Sequence, residues 1–184
     1  MINLYNTLNR KKSIIKDKHI LIYTCGVTVY DLCHLGHFRT FIFFDILIRY
    51  LNSIKKEIIY IRNITDIDDK IINQALKNNR SIHYISDKFT KKLHNDIRTF
   101  NLIEPSFEPK ATEFINKMID LIIQLKNKFY AYKGKNKDIY YNVRKSTFYG
   151  KLSRRKIIDC FRSKSKNKKY NEDFVLWKSK NDID

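Results

Sequence analysis

His34, Gly36 and His37 stand at the junction of two contrasting stretches, in the run C-G-V-T-V-Y-D-L-C-H-L-G-H (25–37). The residues before it, His19–Thr24, read as an apolar strand. Those after it, Phe41–Leu51, read as an apolar helix. Two imidazoles three apart on a first helical turn share a face. Both can donate hydrogen bonds to phosphate oxygens and stabilise the negative charge that grows there during nucleotidyl transfer. The turn they occupy has unpaired backbone N–H groups and the positive end of a dipole, which attract phosphate. Gly36 leaves room for a flat base to lie against the backbone. An H-x-G-H tetrad alone is a weak signal, and the flanking strand and helix make it a strong one.

Cys25 sits at the carboxyl end of that strand, where open α/β sheets bind ligands. It has two readings, a small hydrophobe in a strand or a soft thiolate ligand for a metal at a crevice mouth. The chain has neither C-x-x-C nor H-E-x-x-H, so spacing alone closes no metal site. Asp66, Asp68 and Asp69 fit a cation or substrate-amine site and fit helix capping equally well. Arg62 and Asn63 end a second strand beside the same crevice, where their polarity requires a partner.

The elements that position these groups follow from periodicity. Lys18–Thr24 reads as a buried parallel strand. A helix starts at about His34 or Leu35 and runs to Leu51, apolar on nearly every side and so expected to be buried. Asp45 and Arg49 stand four apart on it and can pair. Glu57–Ile64 is a second strand, which makes a βαβ unit. Residues 65–70 open another helix, and 81–101 keep helical spacing through Ile82, Ile85, Phe89, Leu93, Ile97 and Phe100. E-P-S-F-E-P (104–109) is a break, and a further helix follows over 110–128. Tyr130–Val143 reads as a hairpin turning at Gly134–Lys137, with tyrosines that pack on a sheet. Tyr149–Arg155 leads into a short helix, Arg162–Lys169 reads as a basic loop, and Asp173–Lys178 as a closing strand.

At 184 residues the chain is long enough for one domain with a core. No apolar run is long enough to span a membrane, and no secretion signal is evident. Three cysteines, with Cys33 and Cys160 read as structural or incidental, suggest a reducing compartment. The net charge of +18, from 37 basic against 19 acidic residues, favours a polyanionic partner. Heavy use of Lys, Asn and Ile throughout explains it equally well as compositional drift.

These residues resemble the N-terminal part of the cysteinyl-tRNA synthetases, a family of class I aminoacyl-tRNA synthetases. The match lies in Y-T-C-G-V-T-V-Y-D-L-C-H-L-G-H-F-R-T-F from Tyr23 and Y-I-R-N-I-T-D-I-D-D-K-I-I from Tyr60. It continues through F-E-P-K-A-T from Phe107, Y-G-K-L-S-R from Tyr149 and D-F-V-L-W-K from Asp173. His34-Leu35-Gly36-His37 is similar to the "HIGH" signature. The resemblance implies an α/β fold, a truncated Rossmann-type (HUP-like) half-domain over 1–80. An inserted helical and hairpin segment would occupy 81–170, with a return strand over 171–184.

The resemblance also implies a cysteine–tRNA ligase, cytoplasmic and monomeric when complete, with ATP and its Mg, L-cysteine and tRNA(Cys) as partners and no membrane. His34, Gly36 and His37 would bind ATP, with the two histidines catalytic. Gly26, Thr28 and Thr65 would face the substrate cysteine, and Cys25 would be the first of four ligands to one zinc ion. The other three ligands, the "KMSKS" loop and the second half of the fold would lie beyond residue 184, leaving the fragment's own activity in doubt. Phe38 departs from the family's small residue there, and crowding of the helix entry is expected. The rival readings are a non-catalytic RNA-binding remnant and an HxGH-type nucleotidyl transferase or cysteine ligase acting on a small molecule.

Overall fold

A computed structural model describes residues 2–155 and 166–179. The expected short helix after Arg155, Cys160 and the first half of the basic loop lie outside these residues. The chain groups into two compact units, one of residues 16–115 and one of 1–15 with 116–184.

The first unit is built on β3 (His19–Thr28) and β4 (Glu57–Thr65), a parallel pair connected by α1 (Leu35–Ser53). Register runs from His19 opposite Glu57 to Thr24 opposite Arg62, and resumes at Val27 opposite Ile64. The bulge between them takes in Cys25 and Gly26, so the strand continues four residues past its expected end. A bulge bends a strand and re-aims its side chains.

Burial differs from expectation in both elements. β3 alternates, with Leu21 70% and Tyr23 65% exposed on one face and Thr24 and Val27 buried on the other. α1 buries only Phe38, Phe41, Ile48 and Leu51, while Leu35, Phe43 and Ile46 face solvent. Apolar composition all round a helix permits burial on every side, but burial needs a partner. The described residues supply one on a single side.

That side is closed by α2 (Asp69–Lys77) and α3 (Ile82–Thr99), capped by Asp68 and Ser81. Ile85, Phe89, Leu93 and Ile97 of α3 are buried as their spacing predicts. Ile82 and Phe100, at the two ends of the pattern, stay exposed. Phe38 does not crowd the helix entry. It turns into this core, 4.7 Å from the Phe100 ring and edge-on to Phe41 at 5.8 Å.

The proline-bearing break adds an extended edge to the sheet. Ser106–Lys110 runs parallel to β4 through bridges at Ile61–Phe107 and Ile64–Lys110. Its carbonyls at Phe107 and Pro109 accept from Arg62 and Ile64 N–H at 3.2 and 2.9 Å. Proline cannot donate to a ladder, so an edge suits it. The Arg62 side chain, 2% exposed, faces inward and donates Nε–H and Nη2–H to Glu108 Oε1 at 3.0 and 2.6 Å. His94 Nε2 lies 2.5 Å from the other Glu108 oxygen, and the guanidinium stacks on Phe41 at 4.8 Å. Arg62 therefore finds its partner in the core, not in the crevice. The expected Asp45–Arg49 pair forms, and it pins the preceding chain by accepting from Ile103 N–H and donating to the Asn101 carbonyl.

In the second unit, β1 (Asn3–Asn6) and β2 (Lys11–Ile14) form an antiparallel hairpin. A 3-10 turn at Ala111–Phe114, at the end of the first unit, leads into α4 (Ile115–Asn127). β5 (Ala131–Lys133) and β6 (Ile139–Tyr141) make the expected hairpin, and β7 (Phe174–Trp177) pairs antiparallel with β6. The tyrosines stack on one another across it, Tyr132 on Tyr140 at 5.9 Å. Buried Asp173 ties the sheet together, accepting from Tyr132 Oη and Val143 N–H at 2.6 and 3.0 Å. No helix among the described residues is long and apolar enough to cross a membrane.

Glu108→Ala would leave the Arg62 guanidinium buried and unpaired. A loss of about 3–5 kcal/mol is expected in urea unfolding, and a loss below about 1 kcal/mol would show that the pair is dispensable.

Candidate functional site

The bulge in β3 and the turn before α1 place every expected site residue at one end of the parallel pair. At the bulge the Gly26 N–H donates to Asn63 Oδ1 at 2.9 Å, and Tyr23 Oη donates to the same oxygen at 3.1 Å. The Asn63 amide in turn donates to Thr65 Oγ1 at 3.2 Å. A Cβ on Gly26 would lie 1.7 Å from the Asn63 carbonyl oxygen, so only glycine allows this approach. Thr28 sits opposite Thr65 in register, and Val29 N–H donates to the Thr65 carbonyl at 3.2 Å. Gly26 and Thr65 are thereby tied to Asn63, and Thr28 lies opposite Thr65. The sequence singles out Asn63 only as a polar residue in want of a partner; its role as the clamp depends on the bulge.

Cys25 is exposed, not sealed in the sheet, and its thiol donates to the Gly26 carbonyl at 3.6 Å. Cys33, by contrast, packs against the core, where burial and then the nearby Asp96 charge push its thiol up and keep it neutral.

The imidazoles close the N-terminus of α1 reciprocally. His34 is the N-cap, and its Nδ1 accepts from Gly36 N–H at 3.1 Å. His37 Nδ1 accepts from the His34 N–H at 3.2 Å. The rings lie 4.0 Å apart between centroids, tilted by 30°. A neutral imidazole has one acceptor nitrogen and one donor. With both Nδ1 atoms accepting, the network assigns both protons to Nε2, on the far side of each ring. A Cβ on Gly36 would meet His34 Cε1 at 2.9 Å and Nδ1 at 3.0 Å, so the room left by this glycine is taken by the His34 ring itself. Burial, and then the proximity of His34, hold the His37 imidazole below its usual value.

Two of the three aspartates, Asp66 and Asp68, are spent on architecture. Asp68 Oδ1 accepts from Lys70 N–H at 2.9 Å as the cap of α2. Buried Asp66 accepts from Thr112 N–H and Oγ1 at 3.0 and 2.5 Å, fixing the turn that leads into α4. Among the described residues no three His, Cys, Asp or Glu side chains come together to hold a metal ion. A single exposed cysteine sulfur can give a soft metal one donor, but it does not make a centre, so the expected zinc has no site complete within the described residues.

His37 bears directly on pH. Because its folded-state value is depressed, the folded form binds fewer protons than the unfolded form between the two values. The stability it contributes is complete above 6.5, the ordinary imidazole value, and is lost as pH falls through the depressed one. Protonation also removes the Nδ1 acceptor from the cap. An NMR titration of the His37 ring should give a midpoint below 6.5 with a faster-exchanging His34 amide on its acid side. A midpoint at or above 6.5 would contradict this.

Comparison with known proteins brings a consistent set of relatives. Residues 11–184 match the family described as tRNA synthetases class I (C) catalytic domain. A cysteine–tRNA ligase of Buchnera aphidicola subsp. Cinara cedri is 47% identical over 193 residues, covering 100% of this chain and 40% of its own length. One from Hamiltonella defensa is 42% identical over 189 residues, and one from Haemophilus influenzae 41% over 185. Each alignment covers 97% of this chain and 40% of the relative. The chain thus spans about 40% of the length of the curated relatives it matches.

Proposed function

The chain belongs to the family of class I tRNA synthetase (C) catalytic domains, and on that premise we propose that it carries the nucleotide-binding half of a cysteine–tRNA ligase. In such a reaction the carboxylate of L-cysteine attacks the α-phosphorus of ATP, supplied as its Mg complex. The bond to pyrophosphate breaks and cysteinyl-adenylate forms. The cysteinyl carbonyl then passes to a terminal hydroxyl of tRNA(Cys), releasing AMP. The observation that supports this reading is the reciprocal cap, which engages both Nδ1 atoms and leaves both Nε2–H groups free to face phosphate.

His34 and His37 donate those hydrogens to oxygens whose charge increases at the α-phosphate. In this role each ring acts as a hydrogen-bond donor and transfers no proton. Donors fixed in advance lower the barrier without reorganising as the reaction proceeds. The first turn of α1 adds its dipole, and Gly36 keeps the His34 ring folded over that turn beside the nucleotide. Gly26 and Thr65, tied to Asn63, shape the place for the amino acid together with Thr28.

Cys25 is proposed as one zinc ligand, the other donors coming from outside the described residues; bound zinc would recognise a substrate thiolate and reject a hydroxyl. No step is derived through it. A cytoplasmic enzyme of translation is the setting this reading implies.

His34→Asn separates capping from chemistry, since asparagine is among the best N-caps. In the full-length gene product, stability should stay within about 0.5 kcal/mol of the original. Cysteine-dependent ATP–pyrophosphate exchange should fall about 10²–10³-fold. Exchange at the original rate with the helix still capped would leave His34 a structural residue only.

A further inference from the structure

The outer face of α3 bears a row of cations that the adenylate-forming site does not use. Tyr84, Lys88, Lys91, Lys92 and Asn95 recur at helical spacing and line a shallow groove of about 530 Å³. Tyr84 and Lys88 also line a second hollow of about 270 Å³ toward α2, with Arg80, Gln74 and Asn78. The one acid in the groove, Asp87, is already partnered by His83 at 3.2 Å and Lys110 at 3.6 Å. None of Lys88, Lys91 and Lys92 has an acidic partner among the described residues. Like charges at i, i+3 and i+4 weaken a helix, and a polyanion laid along this row would relieve that repulsion. Tyr84 is 48% exposed, with the Arg80 guanidinium 5.2 Å over its ring.

We infer that this α2–α3 groove binds the phosphate backbone of RNA, with Tyr84 and Arg80 as a stacking surface for a base. Lysines on flexible stems suit a line of phosphates, and aromatic or guanidinium planes suit unstacked bases. The apolar stripe of the same helix, Ile85, Phe89, Leu93 and Ile97, is buried in the core. What faces the groove is Tyr84 set among lysine, asparagine and serine side chains, a lining that suits a polyanion better than a lipid surface or a protein core. The inference rests on the reading above that tRNA is a partner of this chain.

The test is titration of the full-length gene product with tRNA at several salt concentrations, against the triple variant Lys88→Gln, Lys91→Gln, Lys92→Gln. Loss of the three charges should weaken binding at least tenfold near 0.1 M salt and lower the slope of log affinity against log salt by roughly one per lysine. The matching triple change to arginine keeps the charge, and binding should recover. Unchanged affinity and slope in the glutamine variant would overturn the inference. So would loss of binding to phosphatidylserine vesicles with tRNA binding intact. ATP–pyrophosphate exchange by the unaltered protein, with no RNA present, tests the ligase reading separately from the groove.

Discussion

Two imidazoles that cap one helix on each other's backbone set the constraint on which the site depends. His34 accepts from the first turn of α1 and His37 reaches back to the His34 amide, so each ring has one nitrogen committed to the main chain. A side chain held this way offers its remaining N–H in a fixed direction, at no further entropic cost when a ligand arrives. The depressed His37 value belongs to the same arrangement, because a charged ring would lose the acceptor that the cap requires. Capping, tautomer and hydrogen-bond donation are therefore one property of three residues, His34, Gly36 and His37.

The surrounding fold supports this geometry through backbone close to backbone. Gly26 presses against the Asn63 carbonyl, where any side chain would collide, and Asn63 reaches from there to Tyr23 and Thr65. Beneath them, Arg62 crosses into the core and fastens the Ser106–Lys110 edge through Glu108 and His94. Adjacent residues of β4 thus face opposite tasks, one ordering the open end of the sheet and the other locking its interior. Alternation along a strand provides that division.

Local pattern carried the sequence reading a long way. The apolar runs located β3, α1 and β4, the spacing of Ile85, Phe89, Leu93 and Ile97 defined the inner face of α3, and His34 was placed at the helix start. What depends on contacts distant in sequence was not legible. Which side of α1 is covered depends on where neighbours pack, so Phe43 and Ile46 look no different in sequence from Phe41 and Ile48. The bulge at Cys25–Gly26 changes backbone register without changing hydrophobic pattern. Glu108 as the partner of Arg62, and the pairing of β7 with β6, join residues 46 and more than 30 positions apart. The β1–β2 hairpin had a local signal, since Asn6 Oδ1 accepts from Leu8 N–H in an Asx-type turn.

The most direct test of the account is the tautomeric state of His34 and His37, read from long-range nitrogen–proton NMR correlations at neutral pH. The reciprocal cap requires both rings to be protonated at Nε2 with unprotonated Nδ1. A proton on Nδ1 of either ring would break the cap as described and remove the donor on which the proposed phosphate contact depends.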